Sequence, residues 1–164
     1  MRLPRPQSAG NGMTRIVTAV VIGARIEQVF AFVTTPANWP RWHPASKAVS
    51  GAVDHSLKAG ERLIEEVETA GYRGQASWVV REREAPVRWL IEGEGNTGGH
   101  ALITYRLSVQ PDGTRFEREL VYRMPNAWYA LLDLLFVRRR MAAQSAEALR
   151  RLKHLLEAGG TPGA

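Results

Sequence analysis

Residues 15–34 read Arg15-Ile-Val-Thr-Ala-Val-Val-Ile-Gly-Ala-Arg-Ile-Glu-Gln-Val-Phe-Ala-Phe-Val-Thr34, and their period changes halfway along. The first part, 15–23, is β-branched and apolar, the composition of a strand. From 25 to 34 the apolar residues Ile26, Val29, Phe30 and Val33 fall at i, i+3, i+4 and i+7, one face of a helix. Pro36 stops that helix, and Pro40 and Pro44 follow within a turn-rich stretch that carries Trp39, Trp42 and His43. Three prolines so close forbid a long helix and leave room for one short turn of it.

Downstream, strand-like runs follow at about 61–69, 73–84, 87–93, 100–110 and 114–124, with 46–53 as a sixth. The separators are turn chemistry: Ala70-Gly71, Ala85-Pro86, Asn96-Thr97-Gly98-Gly99 and Pro111-Asp112-Gly113. Connections this short join antiparallel neighbours. The last run ends at Met124-Pro125, and Asn126 is placed to cap a long helix over 127–157. That helix carries an apolar stripe through Trp128, Leu131, Leu132, Leu135, Met141 or Ala142, Ala146, Leu149, Leu152 and Leu156, with Gly159 just past its end. This order predicts an α+β fold: a curved antiparallel sheet of six to seven strands wrapped around a long C-terminal helix, with one or two short helices after the first strand. Residues 1–13 and 158–164, rich in Gly, Pro and polar residues, read as flexible tails to one domain over 14–157.

The chain has 164 residues, enough for one domain with its own core. It has no cysteine, which excludes a disulfide scaffold, a thiolate metal site and a thiol nucleophile. No apolar run approaches the roughly 18 residues of a membrane span, and no secretory h-region opens the chain, so a cytoplasmic location without membrane insertion is expected. The formal net charge is +6, and Arg138, Arg139, Arg140, Arg150, Arg151 and Lys153 crowd the C-terminal helix. No nucleic-acid motif accompanies them, so no specific nucleic acid is expected and a solvated basic helix face is the default.

Three stretches resemble the SRPBCC superfamily, the helix-grip group that includes START lipid-transfer domains, birch-pollen-allergen-like proteins and the polyketide cyclase/dehydrase proteins. They are the strand-into-helix opening 20–33, the tryptophan-bearing turn Asn38-Trp39-Pro40-Arg41-Trp42-His43-Pro44, and the helix ending Ala148-Leu149-Arg150-Arg151-Leu152-Lys153-His154-Leu155-Leu156-Glu157. Arg25 stands where such proteins usually have Pro. The resemblance implies a cavity between sheet and helix that takes a hydrophobic or aromatic small molecule, lipid- or polyketide-like. It implies no single activity, because members bind, carry or transform their ligands.

Within such a cavity the polar groups on inward faces carry the chemistry. Alternation in 114–124 puts Phe116, Arg118, Leu120 and Tyr122 on one side, so Arg118 is a cation on an apolar face and needs a carboxylate, a carbonyl or a ligand. Glu65 points inward in one of two phases of its strand, beside Leu63 and Val67. Arg139 lies on the helical stripe between Leu135 and Ala142, where it is expected to orient an acidic group of a ligand. His43 is the acid/base candidate by residue type. Trp39, Trp42, Trp78, Trp89, Tyr105 and Tyr122 read as aromatic wall. Catalytic candidates are thus His43, Glu65 and Arg118; ligand-binding candidates are those aromatics with Arg118, Leu135 and Arg139. The histidines show no metal-ligand spacing, and no phosphate loop or nucleophile elbow appears, so neither metal nor cofactor is expected. A non-catalytic binder, a cyclase- or dehydratase-type enzyme, and a module that docks partners or anionic surfaces through its basic helix all remain open, as does a homodimer.

Overall fold

The computed structural model describes residues 7–9, 13–69 and 71–159. Strands β1 (Gln7–Ala9), β2 (Met13–Ile22), β3 (Ser46–Gly51), β4 (Arg62–Thr69), β5 (Tyr72–Glu84), β6 (Arg88–Gly95), β7 (His100–Gln110) and β8 (Gly113–Arg123) form one antiparallel sheet, ordered β1-β2-β8-β7-β6-β5-β4-β3. The seven strands from Met13 onward are those the alternation predicts. β1 pairs Gln7–Ala9 with Met13–Arg15, within the stretch read as a tail; the remaining tail residues 1–6, 10–12 and 160–164 lie outside the described ones.

β2 runs into α1 (Ile26–Val33), which buries Val29, Phe30 and Val33. A 3-10 turn at Pro36–Asn38 and the one-turn α2 (Trp39–Trp42) then bury Trp39 and Trp42. The concave face of the sheet is filled from α4 (Arg138–Ala158), whose Ala142, Ser145, Ala148, Leu149, Leu152 and Leu156 are buried. The opposite face carries charge instead: Arg15 and Arg106 pair with Glu119, Arg106 and Arg115 with Glu117, and Arg81 with Glu92. The clean period of two is why β8 keeps Thr114, Phe116, Arg118, Leu120 and Tyr122 on the buried side.

One turn admits only glycine. Gly113 has φ +132°, and a Cβ there would lie 2.1 Å from the Ile22 carbonyl oxygen, so β2 can end against this hairpin only without a side chain.

The long C-terminal helix is not one regular helix. α3 (Ala127–Leu132) begins at Asn126, whose side chain accepts from the Tyr129 N–H, and is followed by a π-turn over Asp133–Val137 before α4. In the wide turn the Arg138 N–H donates to the Asp133 carbonyl, five residues back. The extra residue rotates the stripe by one position. Asp133 therefore turns inward with Arg138, while Trp128, Leu131 and Leu135 face out; Arg139, in the first turn of α4, is exposed as well. This corrects the placement of Leu135 and Arg139, which sequence spacing puts on the inner stripe.

Candidate functional site

A cavity of about 160 Å³ lies between the concave face of the sheet, α2 and the start of α4. Its aromatic side is built by α2, β5 and β7. Trp39, Trp42, Trp78 and Tyr105 line it, and Trp89 stacks behind Tyr105 with ring centroids 5.3 Å apart. The rings are pinned by their polar ends: Trp39 Nε1 donates to the Val33 carbonyl at 2.9 Å, and Trp89 Nε1 to the Leu57 carbonyl at 3.2 Å. Gly93 makes room for Trp78, since a Cβ there would come within 2.3 Å of the indole.

The polar side brings together groups from four elements. Glu65 on β4 is buried and accepts from Trp78 Nε1 at 2.9 Å. Loss of water raises its carboxyl pKa, opposed by the Ser46 hydroxyl, the Trp78 N–H and the Arg118 charge. Arg118 on β8 is 5% exposed and donates to Ser145 Oγ of α4 at 3.3 Å. No carboxylate pairs with it within 4 Å among the described residues, and its Nε has no hydrogen-bond partner. Burial pushes the Tyr105 phenol up to about 12, against the opposing pull of Arg118, so the hydroxyl stays protonated.

His43 also lines the cavity. Burial first, then the charges of Arg118 and Arg151, hold its imidazole well below the ordinary range, so the ring is neutral. Its Nδ1 accepts from the Ala45 N–H at 3.3 Å, which leaves the proton on Nε2. That Nε2, Trp42 Nε1 and Arg118 Nε are buried donors without acceptors, and Gln144 Oε1 is a buried acceptor without a donor. All four residues line the cavity. Four polar atoms without hydrogen-bond partners among the described residues thus belong to side chains around one space.

His43, Glu65 and Arg118 therefore share one cavity with Trp39, Trp42, Trp78 and Tyr105. Trp89 is one layer behind. Tyr122 is buried elsewhere, donating to Asp133 Oδ1 at 2.6 Å. Leu135, on the outer side of the π-turn, and Arg139, exposed in the first turn of α4, do not line it.

The sequence profile described as polyketide cyclase / dehydrase and lipid transport matches residues 13–157. The chain belongs to that family. A curated relative, "Penitrem biosynthesis cluster 1 protein I" of Penicillium ochrochloron, is 30% identical over 113 residues, 62% of this chain and 71% of the relative. Among solved structures, a Thermus thermophilus protein superposes with a TM-score of 0.74 at 14% identity, covering 90% of this chain and 99% of that one. A Rhodobacter sphaeroides protein gives 0.67 at 22% identity, covering 94% and 97%. DynU16, from the dynemicin biosynthetic locus, gives 0.63 at 16%, covering 88% of this chain and 48% of that one. These structural likenesses carry the fold. Among the described residues no helix is long and apolar enough to cross a membrane.

Sequence reading puts Met141 on the apolar stripe but names neither it nor Gln144 and Ser145 as site residues, and α4 contributes all three to the cavity wall. A signal existed: Ser145 is a polar residue three positions from both Ala142 and Ala148 on the buried stripe. It also missed Asp133, the lone acid in Leu-Leu-Asp-Leu-Leu-Phe, which needs buried donors and has them in Tyr122 and Thr14.

Proposed function

We propose that the cavity binds a small, largely apolar molecule with a ring and at least one anionic or strongly polarised oxygen directed at Arg118. The observation that carries this reading is a buried cation with no carboxylate partner among the described residues, set among aromatic walls and further unpaired donors. A lone buried cation is costly, and a ligand oxygen would offset that cost. The volume selects for size. About 160 Å³ holds one aromatic ring, close to the roughly 150 Å³ cavity that accommodates benzene in another protein. The curated relative's name refers to a biosynthetic cluster, which supports a ligand of the secondary-metabolite kind.

Chemistry on the bound molecule is the second reading, favoured by Glu65 and His43 in the same space with their pKa values moved in opposite directions. In that reading the Glu65 carboxylate takes a proton from carbon next to a carbonyl. The C–H bond breaks, an O–H bond forms on Glu65, and the enolate oxygen accepts from Arg118 and His43 Nε2.

One experiment addresses both. A panel of monocyclic aromatic acids and their neutral analogues is screened by thermal shift and native mass spectrometry, then followed by proton NMR in heavy water. The acids are expected to bind, and Arg118→Met to weaken them by about 1.5–3 kcal/mol, roughly tenfold to a hundredfold, while neutral analogues bind nearly as before. Equal losses for acid and neutral ligands, or no binding by any acid, defeat the binding reading. Exchange of an activated C–H that disappears in Glu65→Gln marks an enzyme; exchange no faster than in buffer leaves a binder.

A further inference from the structure

The segment that enters α4 is the most apolar exposed surface among the described residues. Trp128, Leu134 and Phe136 are 66%, 59% and 67% exposed, and Tyr129, Leu131 and Leu135 are exposed beside them. In a chain that buries its other tryptophans almost completely, these large apolar side chains crowded into 128–136 form a patch of the kind that marks an interaction surface. The charge around it is one-sided. From Val121 to Ala146 the only acid is Asp133, which is buried, whereas Arg123, Arg139 and Arg140 are exposed.

We propose that α3 and the π-turn dock on the surface of a membrane containing anionic lipid, with Trp128, Leu134, Leu135 and Phe136 in the headgroup–acyl boundary and Arg139 and Arg140 against the headgroups. Aromatic and aliphatic side chains flanked by arginines are what an interfacial helix presents, lying on a bilayer rather than crossing it. A second copy of the chain is the poorer occupant. A two-fold interface sets this patch against itself, and residues 121–146 of each copy would bring to it the exposed Arg123, Arg139 and Arg140 and no exposed acid of that segment. The device that presents the patch is the π-turn: by turning Asp133 inward it commits Leu134, Leu135 and Phe136 to the outside. The proposal stands apart from any ligand in the cavity.

The test is flotation of the full-length chain with phosphatidylcholine vesicles, with and without phosphatidylserine, at low and high salt. Binding is expected to require phosphatidylserine and to weaken in salt. Trp128→Ser with Phe136→Ser should lower affinity roughly tenfold or more. Arg139→Gln with Arg140→Gln should lower it roughly thirtyfold at low salt. Both pairs lie on the surface, and unchanged melting temperatures would confirm that they fold. Failure of the wild-type chain to float with phosphatidylserine vesicles overturns the proposal, as does binding that the arginine pair leaves unchanged. Sedimentation velocity covers the other occupant: a dimer that Trp128→Ser with Phe136→Ser dissolves would assign the patch to a second copy and end the membrane reading.

Discussion

His43 ties the stability of the fold to pH with a definite sign. In the unfolded chain its imidazole titrates in the ordinary range near 6.5. In the folded chain burial, Arg118 and Arg151 hold it lower, so on acidification the unfolded state takes up a proton that the native state refuses. The stability due to His43 is complete above the ordinary value and is lost as pH falls toward the depressed one. Glu65 works in the other direction: its raised pKa favours the protonated native form, and that contribution fades as pH rises through it. His55, raised by Asp54 and Glu61 on the surface, adds its own dependence. Comparison with His43→Gln isolates the one residue, because the others are common to both proteins. Urea midpoints measured at about pH 7.5 and about pH 5 should fall less in His43→Gln than in the wild type. Equal falls would mean that His43 is as hydrated in the folded chain as in the unfolded one.

At the scale of elements, the junction of α3 and α4 hangs on one carboxylate. Asp133 accepts from Tyr122 at 2.6 Å and from Thr14 at 3.1 Å, and Arg138 lies 3.8 Å away while donating to the Thr14 hydroxyl. With its neighbours exposed, the segment has little else to hold it on the sheet. Tyr122→Phe removes one hydrogen bond to a charged acceptor, worth about 1.5–3 kcal/mol. The loss should appear as local opening: amide exchange across 127–137 speeds up by roughly tenfold to a hundredfold while the strands keep most of their protection. Uniform acceleration over the whole chain would show that Tyr122 serves the core rather than this junction. The junction is also where sequence reading loses the structure. Leu131, Leu132, Leu134, Leu135 and Phe136 are apolar on both sides of Asp133, so the pattern fits an unbroken stripe as well as a shifted one. β8 is the opposite case, because Phe116, Leu120 and Tyr122 fix its phase and carry Arg118 inward with them. Glu65 falls between, since its strand mixes polar and apolar residues on both faces and only pairing with β5 decides. β1 was not legible at all: its three residues join the sheet through backbone pairing, which leaves no mark on composition.

The whole molecule keeps a space that tighter packing would close. Ala101 lines the cavity from β7 and offers a direct measure of what that space costs. Ala101→Leu should raise unfolding free energy by about 0.5–2 kcal/mol, the usual gain from filling a cavity, while weakening any ring-sized ligand about tenfold or more. Gain with loss of binding would identify the space as the ligand's; destabilisation with binding intact would identify it as a packing gap. The sheet order has a different consequence, in time rather than in space. β3 to β8 pair with sequence neighbours, and hairpins of this kind form early. β2 pairs with β8, and its Thr18 meets Arg118 a hundred residues later. At about 5–20 residues per second, a ribosome completes β8 on the order of 5–20 s after β2. Throughout that interval Ile-Val-Thr-Ala-Val-Val-Ile is an apolar strand without a partner, outside the exit tunnel for part of it and open to other nascent chains. The first long strand to be made is thus the one that waits longest for its place, and the interval before β8 emerges is when this protein is most in need of a chaperone.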